Sequence, residues 1–399
     1  MTASARSTPI CKSSRVIVAR STLYLHLLAS LCASALTSRR DDSADASVGN
    51  TLDSDYDTAE NSACSTTDSM GESLAVGGQA VMEGVMMRNG SHLAMAVRTP
   101  NGEIQAITRP WVTFFPPAIT RKKWIRGFPV LAETMVNGIR ALNKSAELAA
   151  GPDEADQLKP WQITLTLLVA VGMALLLFVV VPHFLTMGLT ALSVAGKVEG
   201  ISFQIWDGLL KFLMFLAYIV LISRLEDIRR VFQYHGAEHK CIAAYEHKEN
   251  PVSPESAARY SRLHPRCGTT FLLFVMVISI FVHILFVPGL LVFWTPSNAV
   301  AKHSVVLVLK LFLVIPISAL AYETIRTAAT ITSPLLGTVL RSPGLLLQVL
   351  TTREPDKAQL EVALVALKEA LATRAVVPIV TPAYTTLESV WSVPDARQA

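Results

Sequence analysis

Two histidines and a glutamate stand at a spacing that favours metal chemistry. The segment YHGAEHKC contains His235, Glu238 and His239 in the order H-x-x-E-H. Residues four apart share one face of a helix, so both imidazoles could bind one metal ion. A glutamate between them is the residue type that acts as general base on metal-activated water. The pattern predicts a metal-dependent, hydrolase-like site with Glu238 as a catalytic carboxylate.

Further ligands must come from elsewhere in the chain. The strongest candidates are His264 and Cys267, which are three residues apart and directly precede an apolar segment. Nitrogen and sulfur donors together suit zinc, which we expect as the cofactor. The predicted ligand set is His235, His239, His264 and Cys267. Weaker candidates are Cys241, Glu246 and Glu83.

A purely structural explanation of the same histidines stays open. On a helix they would continue an apolar stripe with Phe232 and Ile242, and such histidines are often core residues. Gly236 between them would cost a helix about 1 kcal/mol. Local ion pairs without a chemical role are predicted for Glu226, Asp227, Arg229 and Arg230.

Glu83 is the second candidate catalytic residue. It stands in the apolar segment GGQAVMEGVMM, where a carboxylate is costly unless it is paired or exposed. The neighbouring glycines at 77, 78 and 84 would allow close backbone approach to a ligand. The alternative is that Glu83 faces water on an open strand. Met86 and Met87 are interpreted as sheet packing.

The elements around these residues are predicted from turns and periodicity. Asn89-Gly90 and Asn101-Gly102 indicate hairpins, and hence a small N-terminal antiparallel β-sheet over residues 78–110. Residues 129–149 have helical spacing and are predicted to form an amphipathic helix near the membrane surface. A second amphipathic helix is predicted over residues 354–372, after an interfacial apolar segment at 334–350.

Composition indicates a membrane protein. Of 399 residues 51% are hydrophobic and 17% are charged, against about 25% charged in soluble proteins. Each of four apolar blocks is near the length that spans a bilayer. The blocks are residues 161–181, 205–223, 268–287 and 304–323. The predicted fold class is mainly α, a polytopic membrane protein with about four transmembrane helices. An apolar segment at 183–196 is interpreted as a re-entrant or interfacial turn.

Few charges fall inside these blocks. Asp207 and Lys211 are four residues apart and are predicted to pair. Lys211 and Lys310 are expected to extend toward the interface from the start of their blocks. Because no paired charge is expected at mid-membrane, a transporter is disfavoured relative to an enzyme or a non-enzymatic scaffold or assembly factor.

Loop charges predict the topology. Basic residues are concentrated before the first block, between the second and third, and after the fourth, whereas the other two loops hold Lys197 and Lys302. By the positive-inside rule, both termini lie on the cytosolic or stromal side. The sheet and the loop 224–267 would then share one compartment.

Residues 1–75 differ from the rest. A basic stretch, a short apolar core and small residues predict a targeting leader, followed by a polar disordered segment. The predicted domains are 1–75, 76–150 for the sheet and amphipathic helix, 151–350 for the membrane domain, and 351–399 for the C-terminal helix and tail.

Five irregularly spaced cysteines predict no disulfide framework. Membrane lipids are expected partners and nucleic acid is not, while protein partners and homo-oligomerisation stay open.

Long segments of the chain resemble a known bacterial family. GGQAVMEGVMMRNG, DIRRVFQYHGAEHKCIAAYE, SRLHPRCGTTFLL and LTTREPD are similar in sequence and order to the YqhQ-like family of multispan membrane proteins, over about residues 76–372. That family is a domain of unknown function for which metal dependence has been suggested. The resemblance implies that its motifs meet on the cytoplasmic side. Family motif positions are His235, Glu238, His239, His264, Cys267, Glu83 and Arg88. The additional leader favours an organelle, with a plastid membrane as the leading expectation.

Overall fold

The computed structural model describes residues 76–150, 160–293, 296–331, 333–372 and 377–387. Within those ranges the protein is mainly α-helical with one small sheet, which confirms the predicted fold class. The predicted leader at 1–75 and the end of the predicted tail lie outside the described residues.

A five-stranded sheet precedes the membrane helices and is completed by the tail. Its strands, in their order across the sheet, are β1 Gly77–Val81, β2 Gly84–Asn89, β3 His92–Arg98, β4 Ile104–Pro110 and β5 Thr385–Leu387. The first four pair antiparallel, as predicted, whereas β5 pairs parallel to β4. The fifth strand has three residues and was not predicted.

The turns of the sheet differ in detail from the prediction. Asn89 is paired with His92, so the tight turn consists of Gly90 and Ser91, and Gly90 takes the positive φ of 59°. Gly102 likewise has φ 84° in the next hairpin. The β1–β2 turn contains Glu83 at φ 49°, so this residue lies in a turn and not within a strand.

Eleven α-helices occur in the described ranges. They are α1 Pro117–Thr120, α2 Gly127–Ala150, α3 Pro160–Leu175, α4 Val181–Ala191, α5 Ile201–Ile222, α6 Glu226–Glu246, α7 Pro254–Ala258, α8 Gly268–Phe293, α9 Ala299–Thr330, α10 Pro334–Thr351 and α11 Lys357–Leu371. A π-helical turn, Leu176–Val180, joins α3 to α4 without a break. Residues 183–191 therefore end the first membrane helix, and the predicted re-entrant turn is wrong.

Four helical segments are long and apolar enough to cross a membrane, as predicted. Spans 1 to 4 are Leu168–Ala191, Ile201–Ile222, Gly268–Phe293 and Ala299–Ala328. An even number of crossings returns the chain to the side where it began. Arg230 of α6 contacts Glu83 of the sheet, so the sheet and the loop 224–267 do lie together. We call this side the sheet face, and the side of the loops 192–200 and 294–298 the opposite face.

The two helices that were predicted to be amphipathic pack differently from the prediction. In α2 the buried face contains Glu133, Asn137 and Ser145, while Met135 of the predicted apolar face is 52% exposed. Glu133 accepts hydrogen bonds from two backbone N–H groups, which satisfies its carboxylate. The outward apolar stripe is compatible with a position on the membrane surface, which stays a prediction.

Helix α11 is a core helix. Its buried side chains surround the axis because they include seven of eight consecutive residues: Leu360, Val362, Ala363, Leu364, Val365, Ala366 and Leu367. It packs against α6, β2 and β3. A helix that is apolar all round is expected to be buried. Its start is fixed by a capping box between Asp356 and Gln359.

Candidate metal centre

Helix α6 presents His235 and His239 on one face, as their spacing predicted. The centroids of the two rings are 4.4 Å apart. The helix is long enough to hold them rigidly, and its side facing α11 is packed with buried residues such as Tyr234 and Cys241. The two imidazoles therefore have defined positions.

Backbone carbonyls determine which nitrogen of each histidine carries the proton. His235 Nδ1 lies 2.9 Å from the carbonyl oxygen of Thr351, at the end of α10. His239 Nδ1 lies 2.6 Å from the carbonyl oxygen of Arg262. A carbonyl can only accept, so each Nδ1 is the donor and each Nε2 keeps its lone pair. Metal-binding histidines are oriented in this way.

Cys267 meets these two nitrogens. Its Sγ lies 3.1 Å from His235 Nε2. His239 Nε2 is buried and has no hydrogen-bond partner among the described residues. The ligand atoms of the three residues all lie within 4.8 Å of one another. We call His235, His239 and Cys267 the His/Cys group.

Cys267 stands at the start of a membrane helix. It directly precedes span 3, as the sequence predicted, and the backbone N–H of Thr269 points to its Sγ at 3.4 Å. The contact with this N–H could not be predicted from the spacing of the residues.

The donor set fits zinc. A tetrahedral zinc ion with nitrogen and sulfur ligands needs ligand atoms about 3.5 Å apart. In the His/Cys group His235 Nε2 and Cys267 Sγ are 3.1 Å apart, and all three ligand atoms lie within 4.8 Å of one another. The orphaned His239 Nε2 would gain a partner from such an ion. Three protein ligands leave a fourth coordination position free, which is typical of catalytic rather than structural zinc sites.

His264 lies beside the group and is not part of it. Its ring centroid is 5.6 Å from that of His239, but its Nε2 faces Glu246 Oε2 at 3.4 Å. Burial raises the pKa of Glu246, yet the hydrogen bond from His264 and the charge of Arg266 outweigh this effect, so the pKa is lowered. Glu246 thereby serves as the partner of His264 and Arg266.

Glu238 is fully enclosed between α6 and the sheet. It is 4% exposed, and its Oε2 has no hydrogen-bond partner among the described residues. Burial raises its pKa to about 7, against the opposing charges of His235 and His264. A carboxyl group with a pKa near neutrality can both accept and donate a proton. A Cβ at Gly78 would lie 2.8 Å from Glu238 Oε1, so this carboxyl needs a glycine opposite.

The family match can now be placed on this geometry. Residues 123–373 match a family model described as "Protein of unknown function (DUF1385)". The chain is also 34% identical over 310 residues to "Uncharacterized protein YqhQ" of Bacillus subtilis (strain 168), covering 74% of this chain and 92% of that protein. The chain belongs to the DUF1385 family. This confirms the resemblance found in the sequence, and no solved structure matches.

The DUF1385 match includes the whole His/Cys group and the segment that closes over it. A Cβ at Gly236 would lie 2.1 Å from the carbonyl oxygen of Arg353, and the Arg353 N–H donates to Phe232 O at 2.8 Å. Gly236 therefore permits contact between α6 and the chain after α10. A glycine at position 236 destabilises the helix, but any residue with a Cβ would prevent this close contact.

Side chains of α10 hold the loop that carries Cys267. Gln348 accepts from the backbone N–H of His264 and donates to its carbonyl, both at 2.8 Å. Arg262 donates to the carbonyl oxygen of Thr352 at 2.6 Å. These contacts could not be predicted from the sequence, because one atom of each hydrogen bond belongs to the backbone, which is the same for almost every residue type.

The remaining candidates have other partners. Glu83 accepts two 2.5 Å hydrogen bonds from Arg230 and one from Tyr234 OH at 3.3 Å. The local helix pairing that was predicted for Arg230 is therefore wrong. Cys241 is buried in the core against α11, and burial raises the pKa of its thiol, which disfavours metal binding. Met86 and Met87 are buried in the sheet, as predicted.

Proposed function

We propose that this membrane protein is a metal-dependent, hydrolase-like enzyme that acts at the sheet face. One observation carries the proposal: both histidines donate through Nδ1 to backbone carbonyls and leave Nε2 unprotonated next to Cys267 Sγ. This arrangement directs two ring nitrogens and one sulfur atom to the same point. Histidines with a purely structural role in the core would not need their free nitrogens to meet a cysteine sulfur at one point.

The residues around that point have separate tasks. A zinc ion bound there would act as a Lewis acid and activate water for attack on a carbonyl or phosphoryl group. Glu238 would accept the proton that this water loses, since its buried carboxylate is the base nearest in sequence to both ligands. His264, held by Glu246, would orient substrate or stabilise developing charge.

Loop charges and the predicted leader support an orientation and a membrane for this protein. The basic residues concentrated on the sheet face support a cytosolic or stromal orientation for this side, with membrane lipids as the surrounding partners. The N-terminal leader supports an organellar membrane, and we favour a plastid. Substrates reaching the site would be soluble molecules of that compartment or lipid headgroups.

Metal analysis of the full chain, purified in detergent, tests the proposal. About one zinc per chain is expected, and it should be lost in His235→Ala, His239→Ala and Cys267→Ser. His247→Ala is the matched control, because His247 is exposed near the end of the same helix and bonds its own backbone. Wild-type protein without bound metal, after purification without chelators, would refute the proposal.

A scaffold or assembly factor with a structural His/Cys cluster is the second candidate. It is favoured by the tight packing of Glu238 against Gly78, which joins α6 to the sheet. Complementation of cells that lack the protein separates the two functions. Glu238→Gln should retain metal and lose function if Glu238 is a base, whereas a scaffold should keep working.

A further inference from the structure

A second polar cluster lies inside the membrane domain. It draws on all four spans, and the pairing of Asp207 with Lys211 is the part of it that the sequence predicted. We call it the intramembrane cluster, and its members are His183 of span 1, Asp207 and Lys211 of span 2, His283 of span 3, and His303 and Lys310 of span 4. Lys211 and Lys310 are 5% and 2% exposed, so they do not extend to the interface as predicted.

The depth of the cluster follows from helix geometry. His183 lies eight residues before Ala191, and Asp207 lies six residues after Ile201, the opposite-face ends of their spans. At 1.5 Å per residue, they are about 12 Å and about 9 Å from that side of a core about 30 Å thick. Lys211, ten residues after Ile201, is about 15 Å from it, close to the midplane. The cluster thus begins near the opposite face and extends to the membrane centre.

Its polar contacts are continuous. His303, near the start of span 4, places Nδ1 2.9 Å from His183 Nε2. His183 Nδ1 lies 3.7 Å from Asp207 Oδ1 and 3.5 Å from Lys310 Nζ. Asp207 Oδ2 lies 2.8 Å from Lys310 Nζ and 3.7 Å from Lys211 Nζ. These contacts connect spans 1, 2 and 4 in one row.

An ion pair between Lys302 and Glu199 lies at the opening of this row, on the opposite face. His303 is only partly buried and lies four residues after the opposite-face end of span 4, which makes it the entry point of the row. The charged groups that face the histidines are thus Asp207, Lys310 and Lys211 from inside, and Lys302 and Glu199 from the surface.

The cluster contains more than a structural ion pair requires. Two ammonium groups share one carboxylate, which leaves a positive excess in a low-dielectric layer. His283 is 4% exposed, and neither ring nitrogen has a hydrogen-bond partner among the described residues. Ionisable residues within spans are costly, and they typically mark ion or proton pathways.

We propose that the intramembrane cluster is a proton relay that leads from the opposite face to the middle of the membrane. His303 Nε2 takes a proton from water, and His303 Nδ1–H passes its proton to His183 Nε2. His183 Nδ1–H then gives its proton to Asp207. Each imidazole gains one proton and loses one, so both return to the neutral state with exchanged tautomers.

Arrival of the proton at Asp207 drives the next step. It removes the carboxylate that both lysines contact, so two ammonium groups are left without a counter-ion. This favours release of one proton from an ammonium group at the membrane centre. The imidazole of His283, on which the charges of both lysines act, would accept that proton at an unpartnered ring nitrogen.

Solid-supported membrane electrophysiology on the reconstituted full chain tests the relay. A pH jump on the opposite face should displace charge transiently, and a jump on the sheet face should not. Asp207→Asn and His183→Gln should reduce the displaced charge at least about tenfold, whereas Asp207→Glu, which keeps the carboxylate, should retain it. His92→Gln, an exposed residue of the sheet, is the control. Zinc content should be unchanged in every variant, so this result is independent of the enzyme proposal.

Two results would overturn the relay. The first is the absence of a pH-jump current above protein-free vesicles from wild-type protein that elutes as a folded species. The second is a current of equal size in Asp207→Asn.

Discussion

The His/Cys group and the intramembrane cluster both gather buried histidines, but they bond them differently. In the His/Cys group each Nδ1 is tied to a backbone carbonyl, which fixes one tautomer and leaves Nε2 as a lone pair. In the intramembrane cluster, imidazole faces imidazole, and side chains face charged side chains. A fixed tautomer suits a metal ligand, whereas exchangeable tautomers suit proton transfer. The type of hydrogen-bond partner therefore distinguishes the two roles that we propose for histidine in this protein.

The largest difference between the two regions is expected when a buried charge loses its partner. Asp207→Ala should lower the free energy of unfolding by about 3–5 kcal/mol, because two ammonium groups would stay buried without a carboxylate. Unfolding of the detergent-solubilised chain by SDS measures this. Lys310→Met should cost less, since Asp207 keeps Lys211. Asp227→Ala, on the exposed side of α6, is the control. Equal losses of unfolding free energy in Asp207→Ala and Lys310→Met would show that Asp207 stabilises the cluster no more than Lys310 does.

Zinc should stabilise only one of the two regions. At a concentration about 100 times the dissociation constant, a ligand that binds the folded state alone adds about 2.7 kcal/mol. Zinc should therefore raise the melting temperature of wild-type protein and of Asp207→Asn, but not of His239→Ala or Cys267→Ser. A zinc response in Cys267→Ser that matches wild type would place the binding site elsewhere.

Much of this contrast could be predicted from the sequence. The four spans, the sheet and the H-x-x-E-H face follow from periodicity, because period and length directly determine helices, strands and spans. The pairing of Asp207 with Lys211 followed from i, i+4 spacing and is confirmed. Lys310 was missed as a partner because it comes from another span, and hydropathy does not reveal which face of a span packs inward.

Other features could not be predicted from the types and spacing of the residues. The carbonyls of Thr351 and Arg262, which orient the two histidines, are backbone atoms of residues whose types carry no information about this role. For α11 a signal existed, since VALVAL lacks a polar face and indicates burial on all sides. The approach of Arg353 to α6 explains Gly236 only after the chain is folded.

A glycine near the His/Cys group and a glycine in a membrane helix should respond differently to replacement by alanine. Gly236→Ala should cost about 1–3 kcal/mol, because the new Cβ would meet the carbonyl of Arg353, a backbone atom that cannot rotate away. Gly172→Ala is the matched control in a membrane helix, where no atom lies within 4 Å of the added Cβ. It should leave stability unchanged or slightly raised. Thermal unfolding compares them, and equal tolerance would argue against close contact between α6 and the segment after α10.

The smallest expected effect concerns the two candidate carboxylates of the sheet face. Glu83 and Arg230 form a well-aligned pair, but their side chains are 24% and 49% exposed, so Glu83→Gln should cost no more than about 1 kcal/mol. Glu238, in contrast, is buried with an unsatisfied oxygen and directly precedes His239 of the His/Cys group in the chain. If Glu238 is the base and Glu83 only holds α6 to the sheet, Glu83→Gln should complement cells that Glu238→Gln does not. Loss of complementation in Glu83→Gln, with stability and zinc content intact, would assign Glu83 a direct role, because so weak an ion pair cannot abolish function by destabilising the fold.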